Sequence, residues 1–147
     1  MQALSIEILG IPSSKQSARF RIQNVAGKMS VRSYQKQKVV DKEKSIAMIV
    51  QSQLPNNFIP FDCPLSVEVT YVFPPPKSLL KHEREAVNKG MLVYKSTKPD
   101  LTDNLNKGLM DALDGIVYIN DSRIASLSAM KVYGLKPRTE LLIKPIK

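Results

Sequence analysis

Leu65-Ser66-Val67-Glu68-Val69-Thr70-Tyr71-Val72-Phe73 places an apolar side chain at every odd position, and Pro74-Pro75-Pro76 stops the run. Successive side chains of a strand point to opposite faces. The pattern therefore predicts a strand with one face on a core and the other in a polar setting. A strand of this kind needs other strands beside it and a layer over its apolar face.

The flanking sequence supplies both. Leu4-Ser5-Ile6-Glu7-Ile8-Leu9 alternates in the same way until Gly10 and Pro12, and Arg19-Phe20-Arg21-Ile22 alternates again. Ser13 to Ser17 reads as a loop and Ala26-Gly27-Lys28 as a turn. Val39, Val40, Ile46, Ile49, Val50 and Leu54 recur at near-helical spacing, which predicts a helix from about Ser33 to Leu54, ended by Pro55-Asn56-Asn57. Ser78 is a candidate cap for a short helix to about Asn88, with Gly90 just beyond. A further helix is expected from near Asp100 to Leu113, with Leu101, Leu105, Leu109, Ala112 and Leu113 as its buried stripe and Asp114-Gly115 as its stop. Ile124–Tyr133 and Thr139–Ile143 predict two closing strands across Gly134-Leu135-Lys136-Pro137. The expected fold is α+β: a small mixed or antiparallel sheet of four or five strands packed with two longer helices.

At 147 residues the chain suits a single domain spanning 1–147, large enough to bury a core without staples. One cysteine, Cys63, excludes an intrachain disulfide, and one cysteine with one histidine excludes a Cys/His zinc cluster. No apolar run approaches the ~20 residues of a membrane span. The N-terminus lacks a basic region followed by a long apolar one, so no signal peptide is read and a cytoplasmic location is expected.

Charge distribution carries the functional signal. The chain holds 22 Lys and Arg against 13 Asp and Glu, a net of +9, and a pI near 9.7 points to nucleic acid or an anionic membrane surface. Residues 1–60 contain nine bases and three acids. From Asp100 to Asp121 the balance reverses: five acids (Asp100, Asp103, Asp111, Asp114, Asp121) face the single base Lys107, a local net of −4, whereas the remaining 21 bases and eight acids give +13. Two carboxylates about 4 Å apart repel by roughly 4 kcal/mol at an effective dielectric of 20, so closely placed carboxylates need a cation, a proton or water. Asp100 and Asp103 are three apart at a helix start, where both can face one spot, and Asp121 follows on the next segment. Three carboxylates from two elements suit Mg²⁺ or Mn²⁺, which favour oxygen ligands. Lys107, four residues after Asp103, could stabilise charge on a phosphoryl or leaving oxygen. The competing readings are a helix cap for Asp100, macrodipole complementation for Asp103, a solvated face for Asp111, and turn residues for Asp114 and Asp121.

Lys98-Pro99-Asp100-x-x-Asp103-Asn104-Leu105-x-Lys107, then Asp111-Ala112-Leu113-x-Gly115, then Asn120-Asp121 and Ile124 resemble the signature of the RusA family of Holliday-junction resolvases. Gly10-Ile11-Pro12 and Tyr71-Val72-Phe73-Pro74-Pro75 agree with the family's flanks. The resemblance implies a homodimer that cuts four-way DNA junctions by paired symmetric nicks with Mg²⁺, Mn²⁺ being a possible substitute. It also implies that Asp100, Asp103 and Asp121 bind the metal, that Lys107 is the catalytic lysine, and that Lys15, Arg19, Arg21 and Lys28 contact DNA phosphates. One departure stands out: two residues, Leu101 and Thr102, separate the first two acids where the family has one. Either Asp100 is displaced or the backbone bulges locally. The rival readings are a junction-binding protein of the same fold without activity, and a basic interaction module with no nucleic-acid role.

Overall fold

The computed structural model describes residues 2–13, 19–25, 28–34 and 37–146, with side chains for 2–13 and 45–146. Six strands are described: β1 (Leu4–Leu9), β2 (Arg19–Val25), β3 (Lys28–Tyr34), β4 (Leu65–Phe73), β5 (Ile124–Tyr133) and β6 (Arg138–Pro145). The α-helices are α1 (Gln37–Gln53), α2 (Lys81–Asn88) and α3 (Lys107–Leu113). Four strands form one mixed sheet in the order β1-β6-β4-β5, and β2 with β3 forms a separate two-stranded hairpin. The α+β class expected from the pattern is the one observed.

The strand with the clearest alternation is interior to the sheet. β4 pairs antiparallel with β6 and parallel with β5. Leu65, Val67, Val69, Tyr71 and Phe73 all face the core, joined by Leu4, Ile6 and Ile8 of β1 and Leu141 and Ile143 of β6. Glu7, Glu68 and Glu140 lie on the opposite, exposed phase. The apolar face is covered from above by Val50 of α1 and by Leu105, Leu109, Met110 and Leu113 from the α3 region. The last turn of α1 also ties down the outer strand. Gln53 Nε2 donates to the Glu7 carbonyl at 2.6 Å and its Oε1 accepts from the Glu7 N–H at 3.0 Å, so two edge groups of β1 are satisfied.

Three element boundaries differ from the periodicity. Residues from Ser33 were expected in the first helix, but Lys28–Tyr34 is a strand paired along its length with β2, and α1 begins at Gln37. Met29 and Val31 alternate with polar residues, which favours the hairpin over an early helix start. Lys28, expected in a turn, therefore opens β3, whereas Ala26 and Gly27 lie outside the described residues. Ser78 does not cap α2. Leu79 N–H donates to the Pro76 carbonyl in a turn, and α2 starts after Leu80 with no side-chain cap. Arg84 fastens that helix back to the turn through the Pro76 and Lys77 carbonyls at 3.0 and 2.9 Å.

No helix among the described residues is long and apolar enough to cross a membrane. Ile143 is fully buried, so Ile143→Ala is expected to lower the unfolding free energy by about 2–5 kcal/mol in denaturant titration. Glu68→Ala on the exposed face is expected to stay within about 0.5 kcal/mol.

Candidate active site

Parallel strands cannot be joined by a tight turn, so the chain must travel between the end of β4 and the start of β5. The acidic segment lies on this crossover, and Asp100, Asp103 and Asp121 fall in two turns, one before and one after α3. The first turn, Leu101–Asn106, is π-helical and leads directly into α3. Its defining bond runs five residues back, from the Leu105 N–H to the Asp100 carbonyl at 3.0 Å. A π-turn holds one residue more than an α-turn of the same span. Leu101 and Thr102, between Asp100 and Asp103, are thus accommodated in a π-turn while Leu105, Leu109, Ala112 and Leu113 keep their buried phase. Leu101 alone of that expected stripe is only half-buried.

Asp100 occupies the cap position with extended backbone angles (φ −69°, ψ 134°), yet its side chain caps no backbone N–H. Asp103 and Lys107 are likewise exposed on the turn and at the start of α3. Two hydrogen bonds fasten this turn to the sheet. The buried Tyr71 hydroxyl donates to Asn106 Oδ1 at 2.8 Å. Lys131 of β5 donates from Nζ to the carbonyls of Thr97 and Pro99 at 2.7 and 2.9 Å, just ahead of Asp100. Burial holds the Tyr71 phenol well above its ordinary pKa, so it remains a donor.

Asp121 belongs to the second turn, a single 3₁₀ turn Asp121–Arg123 that opens β5. Asn120 precedes it and accepts from the Ser122 N–H at 2.9 Å. The turn is held to the strap before β4, where Arg123 Nε donates to Asp62 Oδ1 at 2.9 Å. The Phe61 N–H and carbonyl bond Val117 and Ile119 on the approach to it. Gly115 makes the reversal after α3 possible at φ +79°, where a side chain would strain the backbone. Tyr118 is fully buried and donates to the Met110 carbonyl at 2.6 Å. Its pKa is raised by burial and by the negative charges of Asp114, Asp121 and Asp111. Asp111, Asp114 and Asp121 are thus all within electrostatic reach of the Tyr118 hydroxyl.

The donor set is all carboxylate oxygen and solvent-exposed, which matches a hard divalent cation. Among the described residues, no three Asp, Glu, His or Cys side chains are grouped closely enough to cage a metal by themselves. Such a donor set fits a cation held by one or two carboxylates, with waters and substrate oxygens completing its shell. Of the expected DNA contacts, Lys15 lies outside the described residues, and Arg19, Arg21 and Lys28 are placed by backbone only, on the β2–β3 hairpin. Tyr71, Asn106, Arg123 and Lys131 were not singled out by the sequence reading. For Lys131 a signal existed: it is a charged residue in the inward phase of a strand, between Ala129 and Tyr133.

The profile of the family described as endodeoxyribonuclease RusA matches residues 12–144. A protein of Bacillus subtilis (strain 168) described as uncharacterized protein YqaN is 32% identical over 148 residues, covering 99% of each chain.

Tyr71→Phe is expected to cost about 1 kcal/mol of stability by removing the bond to Asn106. Because the raised phenol pKa favours the neutral form in the folded state, the stability it contributes is present below about pH 10 and lost as pH rises beyond. Thermal midpoints measured from pH 8 to 11 are expected to fall more steeply in the wild type than in Tyr71→Phe.

Proposed function

The chain belongs to the RusA family of endodeoxyribonucleases, and on that footing we propose that it is a divalent-metal-dependent, structure-selective endonuclease that cuts four-way DNA junctions in recombination and repair. The observation that carries the reading is the crossover. Exposed carboxylates and Lys107 are presented on two turns anchored to β5, and Asp100 is not consumed as a helix cap. Asp103 and Asp121 hold Mg²⁺ or Mn²⁺, with Asp100 assisting. The cation, when bound, supplies positive charge at a phosphoryl oxygen and acidifies water. Lys107 places an ammonium where charge develops on the phosphate or the leaving oxygen. Lys15, Arg19, Arg21 and Lys28 hold the phosphate backbone, consistent with a charge of +13 outside the acidic segment. Paired nicks require two such sites, so the active species is a homodimer, acting in the cytoplasm.

A second reading has one observation in its favour. The π-turn inserts a residue between Asp100 and Asp103, and no protein-only metal cage forms among the described residues. A protein of this fold could then bind junctions without cutting them.

A synthetic four-way junction separates the two. The wild type is expected to cut it with Mg²⁺ or Mn²⁺; binding without cutting under either metal selects the second reading. Binding is expected to weaken steeply with added salt, as phosphate neutralisation requires. Asp103→Asn is expected to abolish cutting while junction affinity is kept or raised; undiminished turnover would remove Asp103 from the ligand set. Lys107→Ala is expected to slow cleavage by about 10²-fold or more with little change in junction affinity. A pure affinity loss would instead make Lys107 a phosphate contact.

A further inference from the structure

We infer that Lys131 is a positioning residue that sets the Asp100 end of the metal site, a role that rests on the nuclease reading above. Lys131 pairs with Tyr71 across the parallel β4–β5 ladder, is half-buried, and shares its face of β5 with Ala129 and Tyr133, which pack against the core. An ammonium in an inward strand position is unfavourable unless its N–H groups are bonded. Among the described residues it forms no ion pair. Its acceptors are two main-chain oxygens, Thr97 at 2.7 Å and Pro99 at 2.9 Å.

Those two carbonyls bracket Lys98 and stand immediately before Asp100. The peptide between Pro99 and Asp100 determines where the Asp100 side chain departs from the chain. Because the Asp100 carboxylate caps no N–H, its own bonding does not set its direction. The backbone ahead of it must do so, and Lys131 holds that backbone. The loop is clipped on a second side as well. The Lys95 N–H donates to the Lys131 carbonyl at 2.9 Å, and Lys95 Nζ donates to Thr97 Oγ1 at 2.7 Å. The Lys131 charge also lies on the approach to a segment with a net of −4, where it offsets repulsion among carboxylates before any cation binds.

The test is Mn²⁺ binding to DNA-free protein, followed by the Mn²⁺ dependence of junction cleavage, for wild type, Lys131→Met and Lys131→Arg. Lys131→Met is expected to weaken Mn²⁺ binding about tenfold or more, as removal of groups that orient metal ligands does. It is also expected to raise the Mn²⁺ concentration for half-maximal cleavage by a similar factor, with the rate largely recovered at saturating Mn²⁺. Lys131→Arg, which keeps the charge and the donors, is expected to stay within about threefold of wild type. Unchanged Mn²⁺ binding and half-saturation in Lys131→Met would overturn the inference. So would a loss of rate that saturating Mn²⁺ does not restore. Should Lys131→Met fail to unfold cooperatively, Lys131→Gln, shorter but still a donor, is judged by the same two readouts. Wild-type protein that neither binds Mn²⁺ nor cuts any junction would instead remove the nuclease reading and this inference with it. Wild type that does both while Lys131→Met matches it would remove this inference alone.

Discussion

The parallel pairing of β4 with β5 is the constraint on which the rest of the molecule depends. Antiparallel neighbours can be closed by a few residues, as in the β2–β3 hairpin. Parallel neighbours cannot. The chain between Phe73 and Ile124 must therefore leave the sheet, return to its starting edge, and bury something on the way. What it buries is the apolar side of α3, which covers the inward face of β4. What it leaves outside is the polar start of that helix and the polar turn before β5. The candidate metal ligands are thus the exposed remainder of a segment whose other side is core.

This arrangement explains why the spacing of Asp100 and Asp103 can differ without disturbing the core. Leu105, Leu109 and Leu113 are fixed by packing and cannot rotate out of the core without loss. A register change upstream must be absorbed before Leu105, and the π-turn at Leu101–Asn106 absorbs it. The bulge lies between Asp100 and Asp103, so its consequences fall on the spacing of those two carboxylates rather than on the helix. The clips from Tyr71 and Lys131 then decide how that turn sits on the sheet.

Much of the sheet was readable from alternation. Leu4–Leu9, Leu65–Phe73 and Ile124–Tyr133 coincide with strands, and in the first two a wet face alternates with a dry one. Where alternation and helical spacing overlap, as at Ser33 and Tyr34, hairpin pairing with β2 prevailed over the downstream periodicity. Strand order was not readable, since β1, β6, β4 and β5 carry similar patterns and nothing local distinguishes neighbour from neighbour. In the site, Asp100, Asp103, Lys107 and Asp121 were visible as an acidic run with a family signature. Tyr71, Asn106, Arg123 and Lys131 were not, because each acts through a partner 30 to 60 residues away or across the ladder.

By itself the sequence determined that this chain is a basic α+β protein with one acidic segment, and it named the residues of that segment proposed to meet a cation or a phosphate. Spacing and charge are local properties, and they survive without a fold. Only the tertiary structure decided that Leu101–Asn106 forms a π-turn, that the Asp100 side chain caps no N–H, and that Lys131 holds the backbone before it. Those outcomes follow from which strand lies beside β4 and in which direction it runs, a long-range choice made by burial of the whole sheet face.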